Sequence, residues 1–397
     1  VSEIIKDENG IVKKIYVLKV TEGNVSILTA LEQNKNGAKL MPFAKQQSKL
    51  FCDFPLIGTE DFPFPVIISC QDFEPTEPRD GVFLTCKNKA RLDDEVEANR
   101  NIIETACELY KKLLEYAAEK KWNGIYNITR IDSYDRKDWY DEEWLEEIIK
   151  NCKNIILHTP IVHTANDSMM ELLDIWGDEQ VFIISDTSKK LREDIWHLLS
   201  YIMPDHIPRI EDMHEWYHSL WLGCNSFTFK ALSAHLCDYG NIDSLSMHLN
   251  GYGWKEWLLE YYTLIDQNKE WQGYVDNKEL RILPNQNGVF CATGDLYFDV
   301  DILEKYKDIL YELGEDAKSW LLHLEIDNRT WFQCEDYTNT DILKCIEDGL
   351  DEADKQTQEK VLLEIVFLYN SAYEKLDVQK RICDYTIQIF EDRKSVV

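Results

Sequence analysis

His214, Glu215 and His218 stand in the order His-Glu-x-x-His within a stretch of helical periodicity, which sets two imidazoles one turn apart with a carboxylate between them. Two such rings can hold zinc, and the carboxylate can serve as general base toward a metal-bound water, the chemistry of a zinc peptidase. A working site also wants a third protein ligand. No ligand motif follows downstream, and Glu211 and Asp212 sit just upstream. A five-residue pattern with two free positions recurs by chance, so the plainer reading is a helix anchored by Trp216, Leu220 and Trp221 with the histidines at its edge.

The second candidate is a cation. Residues 49–60 and 64–69 form two apolar stretches around a Pro-Gly turn, and the second runs into Phe73-Glu74-Pro75-Thr76-Glu77-Pro78-Arg79-Asp80-Gly81. Prolines stiffen such a loop, and a stiff loop holds a guanidinium in the fixed geometry that bidentate contact with phosphate or carboxylate requires. Arg79 either serves an external anion in this way or pairs locally with Glu77 or Asp80. Other enzyme signatures are lacking: there is no phosphate-cradling G-x-x-x-x-G-K-[ST], no G-x-S-x-G and no full G-x-G-x-x-G. Gly251-Tyr252-Gly253 reads as punctuation before a helix at Trp254.

These residues need elements to position them. Residues 1–92 have strand character at 14–19, 25–31, 49–54, 64–69 and 81–84, and six of the ten prolines fall between Pro42 and Pro78. From 93 to 121 the period lengthens to that of an amphipathic helix, with Ile102, Ile103, Ala106, Leu109, Tyr110, Leu113, Leu114 and Ala117 on one face. Helices are predicted over 141–151, 167–175, 191–202, 211–222, 226–238 and 254–267, with short strands at 154–157 and 181–185. A hairpin is expected around the turn 284–288, followed by helices at 300–313, 339–350, 357–373 and 376–391. The expected class is α+β. A small α/β domain (1–92) is followed by a mixed, mainly helical domain (93–275) and by a hairpin with a helical bundle (276–397).

The composition bounds the function. Asp and Glu outnumber Lys and Arg 73 to 43, a formal charge of -30, so the summed field repels nucleic-acid backbones and anionic lipid, although Lys87 to Arg91 make a local basic patch. No apolar run is long enough for a bilayer, and the start has no signal-peptide order. Eleven scattered cysteines, odd in number and without a Cys-x-x-Cys pair, read as thiols of a cytoplasmic protein. The chain opens at Val1 inside an apparent hairpin, so an upstream part of the protein is expected.

The block 49–84, the helix start at Asn99-Arg100 and Ile282-Leu283-Pro284-Asn285-Gln286-Asn287-Gly288-Val289-Phe290 resemble the sacsin-like family of large ATP-binding proteins. Asp295 to Asp299 and Lys307-Asp308-Ile309 fit bacterial proteins of this kind. The head of that family is similar to the GHKL nucleotide fold of heat shock protein 90, gyrase, histidine kinases and MutL. The resemblance therefore implies a chaperone-type ATPase of which this chain is the region after the head. ATP and magnesium would belong to the head. Neither its Asn-bearing helix nor an Asp-x-Gly-x-Gly is found here, so no cofactor is expected in this part. By its place in the loop, Arg79 looks like the arginine that the chaperone's middle domain sends to the terminal phosphate of ATP. Lys49, after Gln46-Gln47-Ser48, is a second candidate, because gyrase-type relatives use a lysine. The implied role is coupling and partner binding, with the head and protein clients as partners. Relatives also occur in large multidomain proteins suspected of roles in phage defence. The alternatives are the zinc peptidase and an acidic interaction scaffold unrelated to ATP.

Overall fold

A computed structural model describes residues 2–8, 11–34, 37–86, 93–131, 133–173, 180–186, 188–218, 223–275, 280–326 and 331–372 of the 397. The Asn9-Gly10 turn, the basic patch 87–91, Leu220 and Trp221, and the expected helix 376–391 lie outside the described residues. The chain divides into two compact units, 1–228 and 229–397. Both mix strands with helices, and the class is α+β.

The first unit is built on a seven-stranded sheet. Strands β1 (Ser2–Glu8), β2 (Ile11–Glu22) and β3 (Val25–Asn34) form an antiparallel meander, and β4 (Gly37–Met41) pairs with the far half of β3. The near half of β3 pairs with β7 (Ile67–Cys70). That strand lies parallel to β5 (Leu50–Cys52), and β6 (Phe54–Pro55) closes the edge. Pro55 suits an edge because it has no N–H to offer a ladder. Residues 81–84, expected as a strand, contribute only single bridges, Val82 to Pro75 and Leu84 to Tyr140.

The 26-residue helix α1 (Asp94–Glu119) follows the predicted period: all eight apolar residues of its sequence-predicted face are buried. They pack with Ile27, Leu50, Phe64 and Ile68 of the sheet region into one core that also receives Leu145, Ile148 and Cys152 from α2 (Glu142–Leu157). Residues 154–157 are the last turn of α2 rather than a strand. Ile156 and Leu157 continue the helical spacing of Ile148 and Cys152 into the core, and that burial outweighs the β-preference of the Ile155-Ile156 pair.

Strand β8 (Val162–His163) pairs with β9 (Met169–Met170), so the helix expected over 167–175 gives way to a small hairpin. Asp167 turns it with a left-handed φ of 60°. The unit is completed by β10 (Ile183–Ile184), α3 (Lys189–Ile202), α4 (Ile210–Trp216) and β11 (Ser226–Phe227), with β10 and β11 parallel.

The second unit opens with α5 (Phe229–Tyr239), α6 (Ile242–His248), α7 (Trp254–Gln267) and α8 (Lys269–Val275). Phe229 stacks on Trp271 at 3.8 Å and on Tyr261 at 5.6 Å, an aromatic column at the centre of these helices. The expected hairpin is present as β12 (Arg281–Pro284) and β13 (Phe290–Ala292). Strand β14 (Tyr297–Asp299), α9 (Glu304–Glu312), β15 (Glu335–Tyr337), α10 (Asn339–Glu352) and α11 (Lys355–Ala372) follow. Ile309, Ile342, Ile346 and Val361 join the last three helices in one core. Among the described residues, no helix is long and apolar enough to cross a membrane.

Candidate functional site

Arg79 stands at the tip of a small, closely hydrogen-bonded loop. Thr76 N–H donates to Gly81 O at 3.0 Å, Arg79 N–H to Thr76 O at 2.8 Å, and the Thr76 hydroxyl to Asp80 Oδ1 at 2.7 Å. Pro75 and Val82 bridge at the base. The base is gripped from α1 by Asn99, which is fully buried. Its Oδ1 accepts from Glu74 N–H at 2.9 Å, and its Nδ2 donates to Glu74 O at 2.9 Å and Phe83 O at 3.0 Å. Arg100 adds two donations to Leu84 O, at 3.1 and 2.7 Å. Sequence reasoning marked Asn99-Arg100 only as a helix start; a buried asparagine in the first turns of an amphipathic helix was the available signal.

On the other side of the loop, Gly81 lets the backbone lie against an aromatic ring. A Cβ placed there would fall 2.3 Å from Trp139 Cε2. Gly58 likewise permits close approach: at φ +112°, its missing Cβ would be 3.1 Å from Asp80 Cβ and O. The Arg79 loop thus rests on the turn after β6. The guanidinium reaches the same region, with Nη2 donating to Cys52 O at 3.3 Å. Arg79 (φ 57°) and Asp53 (φ 58°), the residue after that carbonyl, are both held left-handed. Such backbones cost about 1–3 kcal/mol each and persist where the surroundings dictate them.

Arg79 is exposed and forms no ion pair with any described residue. The local pairing with Glu77 or Asp80 is not made, and the Asp80 carboxylate accepts from the Thr76 hydroxyl instead. Lys49 sits just before β5, whose last residue, Cys52, accepts from Arg79; three residues of extended chain separate them by about 10 Å. Its ammonium lies 5.3 Å from the centre of the Phe43 ring, a cation–π contact.

The backbone under Lys49 is fixed by Thr59, fully buried. Its hydroxyl accepts from Lys49 N–H at 3.2 Å and Leu50 N–H at 3.1 Å, and donates to Leu56 O at 2.7 Å. Beside it, Glu60 accepts from Gly58 N–H at 2.9 Å and from the Ser48 hydroxyl at 2.9 Å. Desolvation is the largest single influence on this carboxyl and pushes it up. The donated hydrogen bonds together outweigh it and hold Glu60 below the ordinary carboxylate range.

Two of the His-Glu-x-x-His residues, His214 and Glu215, are engaged with other side chains. Helix α4 ends at Trp216, so His218 lies beyond it and is exposed. His214 Nε2 donates to Glu193 at 2.9 Å, an interaction that lowers the Glu193 pKa, and Glu215 accepts from Arg130 Nη2 at 2.7 Å. Among the described residues, no three His, Cys, Asp or Glu side chains gather to hold a metal ion. Trp216 is buried, edge-on to Tyr126 at 6.1 Å, and anchors the helix.

In the second unit the Ile282–Phe290 motif is a structural device. Asn285 Oδ1 accepts from the N–H groups of Asn287 and Val289 within the turn, at 3.0 and 2.9 Å. Gln286 Oε1 accepts from Lys307 Nζ at 2.9 Å. Lys307 is 2% exposed and also meets Asp299 and Glu304, each at 2.6 Å. These partners come from three separated stretches, which is why the sequence did not reveal the cluster. No family model, no curated protein and no solved structure matches this chain.

Proposed function

We propose that the first unit is a coupling and partner-binding module of a sacsin-like, chaperone-type ATPase, and that Arg79 is the cation it offers to the terminal phosphate of ATP held by an upstream nucleotide-binding head. The observation that carries this reading is the state of Arg79: an exposed guanidinium without a carboxylate partner in a chain of charge -30, on a left-handed backbone fixed from both sides. A positioned cation facing charge that develops on a transferring phosphate contributes directly to rate. Lys49, over the Phe43 ring, is the second cation of this reading, and ATP and magnesium would be bound by the head.

Through Asn99, α1 is bonded to the loop, so displacement of Arg79 on closure of the head would be felt along a 26-residue helix. A cytoplasmic setting is supported by the ten described cysteines, all free thiols. The test is ATP hydrolysis by protein carrying the head, comparing Arg79→Ala and Lys49→Ala with the parent sequence. A loss with Arg79→Ala supports the role, and an unchanged rate removes Arg79 from it.

A further inference from the structure

A cleft of about 400 Å³ opens in the first unit where β4, the turn after α1 and residues 209–212 come together. Lys39 of β4, Asn123 and Tyr126 of the turn, and Arg209, Glu211 and Asp212 line it. Backbone bonds join the first two of these segments: Leu40 N–H donates to Asn123 O at 2.8 Å, and Asn123 N–H to Ala38 O at 3.0 Å. Gly124, at φ +73°, allows this approach, since a Cβ there would collide with Leu40 O and press on Lys39 Cγ. Arg209 is oriented by Asp212 Oδ2, which accepts from Nε at 2.7 Å and Nη2 at 2.6 Å, and by Asn123 Oδ1, which accepts from Nη2 at 2.7 Å.

Tyr126 supplies a second, independent observation. The residue is only 7% exposed, yet its hydroxyl bonds to no described residue and is not sealed in the core: it is open to the cleft. Hydroxyls of buried residues are ordinarily satisfied, so an open one without a partner marks a place for an acceptor on a ligand. Burial first, then the Asp212 and Glu215 carboxylates, push this phenol up to about 12, which keeps it a donor at neutral pH. Three further donors are left over at the same cleft: Lys39 Nζ, Asn123 Nδ2 and Arg209 Nη1 meet no acceptor among the described residues. On the acceptor side, Glu211 forms no ion pair and Asp212 Oδ1 takes no bond from a described residue.

We propose that this cleft binds a free α-amino acid, its carboxylate accepting from the Tyr126 hydroxyl, Lys39 and Arg209 and its ammonium meeting Glu211 and Asp212. The ionic side chains of the cleft balance, Lys39 and Arg209 against Glu211 and Asp212, so a ligand that carries both signs at zero net charge matches them. A phosphate would bring two charges to a place with no surplus cation, and the field of a chain of charge -30 works against any bare anion. A bare cation would leave the four donors unused. The volume lies toward the small end of ordinary ligand clefts, which suits a small molecule rather than a peptide segment. This site stands apart from the ATP reading and does not depend on it.

The test is isothermal titration calorimetry of the full chain with each of the common L-amino acids in turn. Saturable one-to-one binding of at least one of them is expected, weakened about tenfold or more by Tyr126→Phe and by Lys39→Met. Tyr126→Phe deletes a hydroxyl that bonds to no described residue, and Lys39 forms no ion pair with one, so the ligand-free unfolding temperature of both variants should stay at that of the parent. For the amino acid that binds, the corresponding acid without its amino group and the corresponding amine without its carboxylate should each bind about tenfold more weakly or worse. Absence of binding by every amino acid would overturn the proposal, as would binding that neither variant weakens, which would place the ligand elsewhere. A desamino acid that binds as tightly as its amino acid would overturn the zwitterion assignment.

Discussion

Asn99 and Glu74 are joined twice through one side-chain amide, the oxygen accepting from Glu74 N–H and the nitrogen donating to Glu74 O, each at 2.9 Å. Asn99 is buried and Glu74 is exposed, so the pair ties the outer loop to the buried face of α1. It converts a helix position into the anchor of the loop that carries Arg79.

Replacing Asn99 with Ala should therefore destabilise the first unit by about 1–3 kcal/mol, since three part-buried hydrogen bonds are lost. Denaturant unfolding measures the loss. Amide exchange over 74–83 should accelerate more than exchange at the centre of α1.

Gly81→Ala should cost about 1–3 kcal/mol, because the new methyl would sit 2.3 Å from the Trp139 ring and either the loop or the ring must shift. Gly273→Ala is the contrast. That glycine is within α8 with open space around its missing Cβ, and the substitution should stabilise by up to about 1 kcal/mol. Thermal unfolding of the two variants should move in opposite directions.

The contrast between α1 and α2 shows what the sequence carried. The face of α1 was legible because apolar residues recur along it at one period and the core lies on one side. The end of α2 was misread because Ile155-Ile156-Leu157 is too short a run for periodicity to decide between strand and helix. At the candidate site, the proline-braced loop and Arg79 were visible as a pattern. The grip of Asn99 on Glu74 and Phe83, the seat of Gly81 on Trp139 and the bond of Lys307 to Gln286 were not, because each joins residues distant in sequence through contacts that follow no period. His214 and Glu215 show the converse: in a spacing that suggested zinc, the first bonds to Glu193 and the second to Arg130.

Lys307→Met should destabilise the second unit by about 3–5 kcal/mol, because it leaves the buried Asp299 carboxylate without its cation. Adding Asp299→Asn should restore part of the loss. A double-mutant cycle in urea checks this, and strictly additive losses would contradict the pairing.

Helix α10 begins with a capping box in which the Thr338 hydroxyl and N–H both donate to Asp341, at 2.7 and 3.0 Å. The Thr338 hydroxyl is the largest influence lowering the Asp341 pKa below the ordinary 3.8. A carboxyl with a lowered folded pKa contributes stability that is fully present above its unfolded value and is lost as pH falls through the folded one. The contribution should thus fade below about pH 3.8. Asp341→Asn should flatten that acid limb in unfolding curves taken across pH, and Thr338→Ala should cost about 1 kcal/mol near neutrality.

The most direct test of the central claim is steady-state ATP hydrolysis by protein that carries the proposed nucleotide-binding head, comparing the parent sequence with Arg79→Ala and Arg79→Lys. A cation used in the transition state predicts a fall in kcat of about a hundredfold or more for Arg79→Ala, little change in KM, and partial recovery with lysine. A kcat for Arg79→Ala equal to that of the parent would contradict the account.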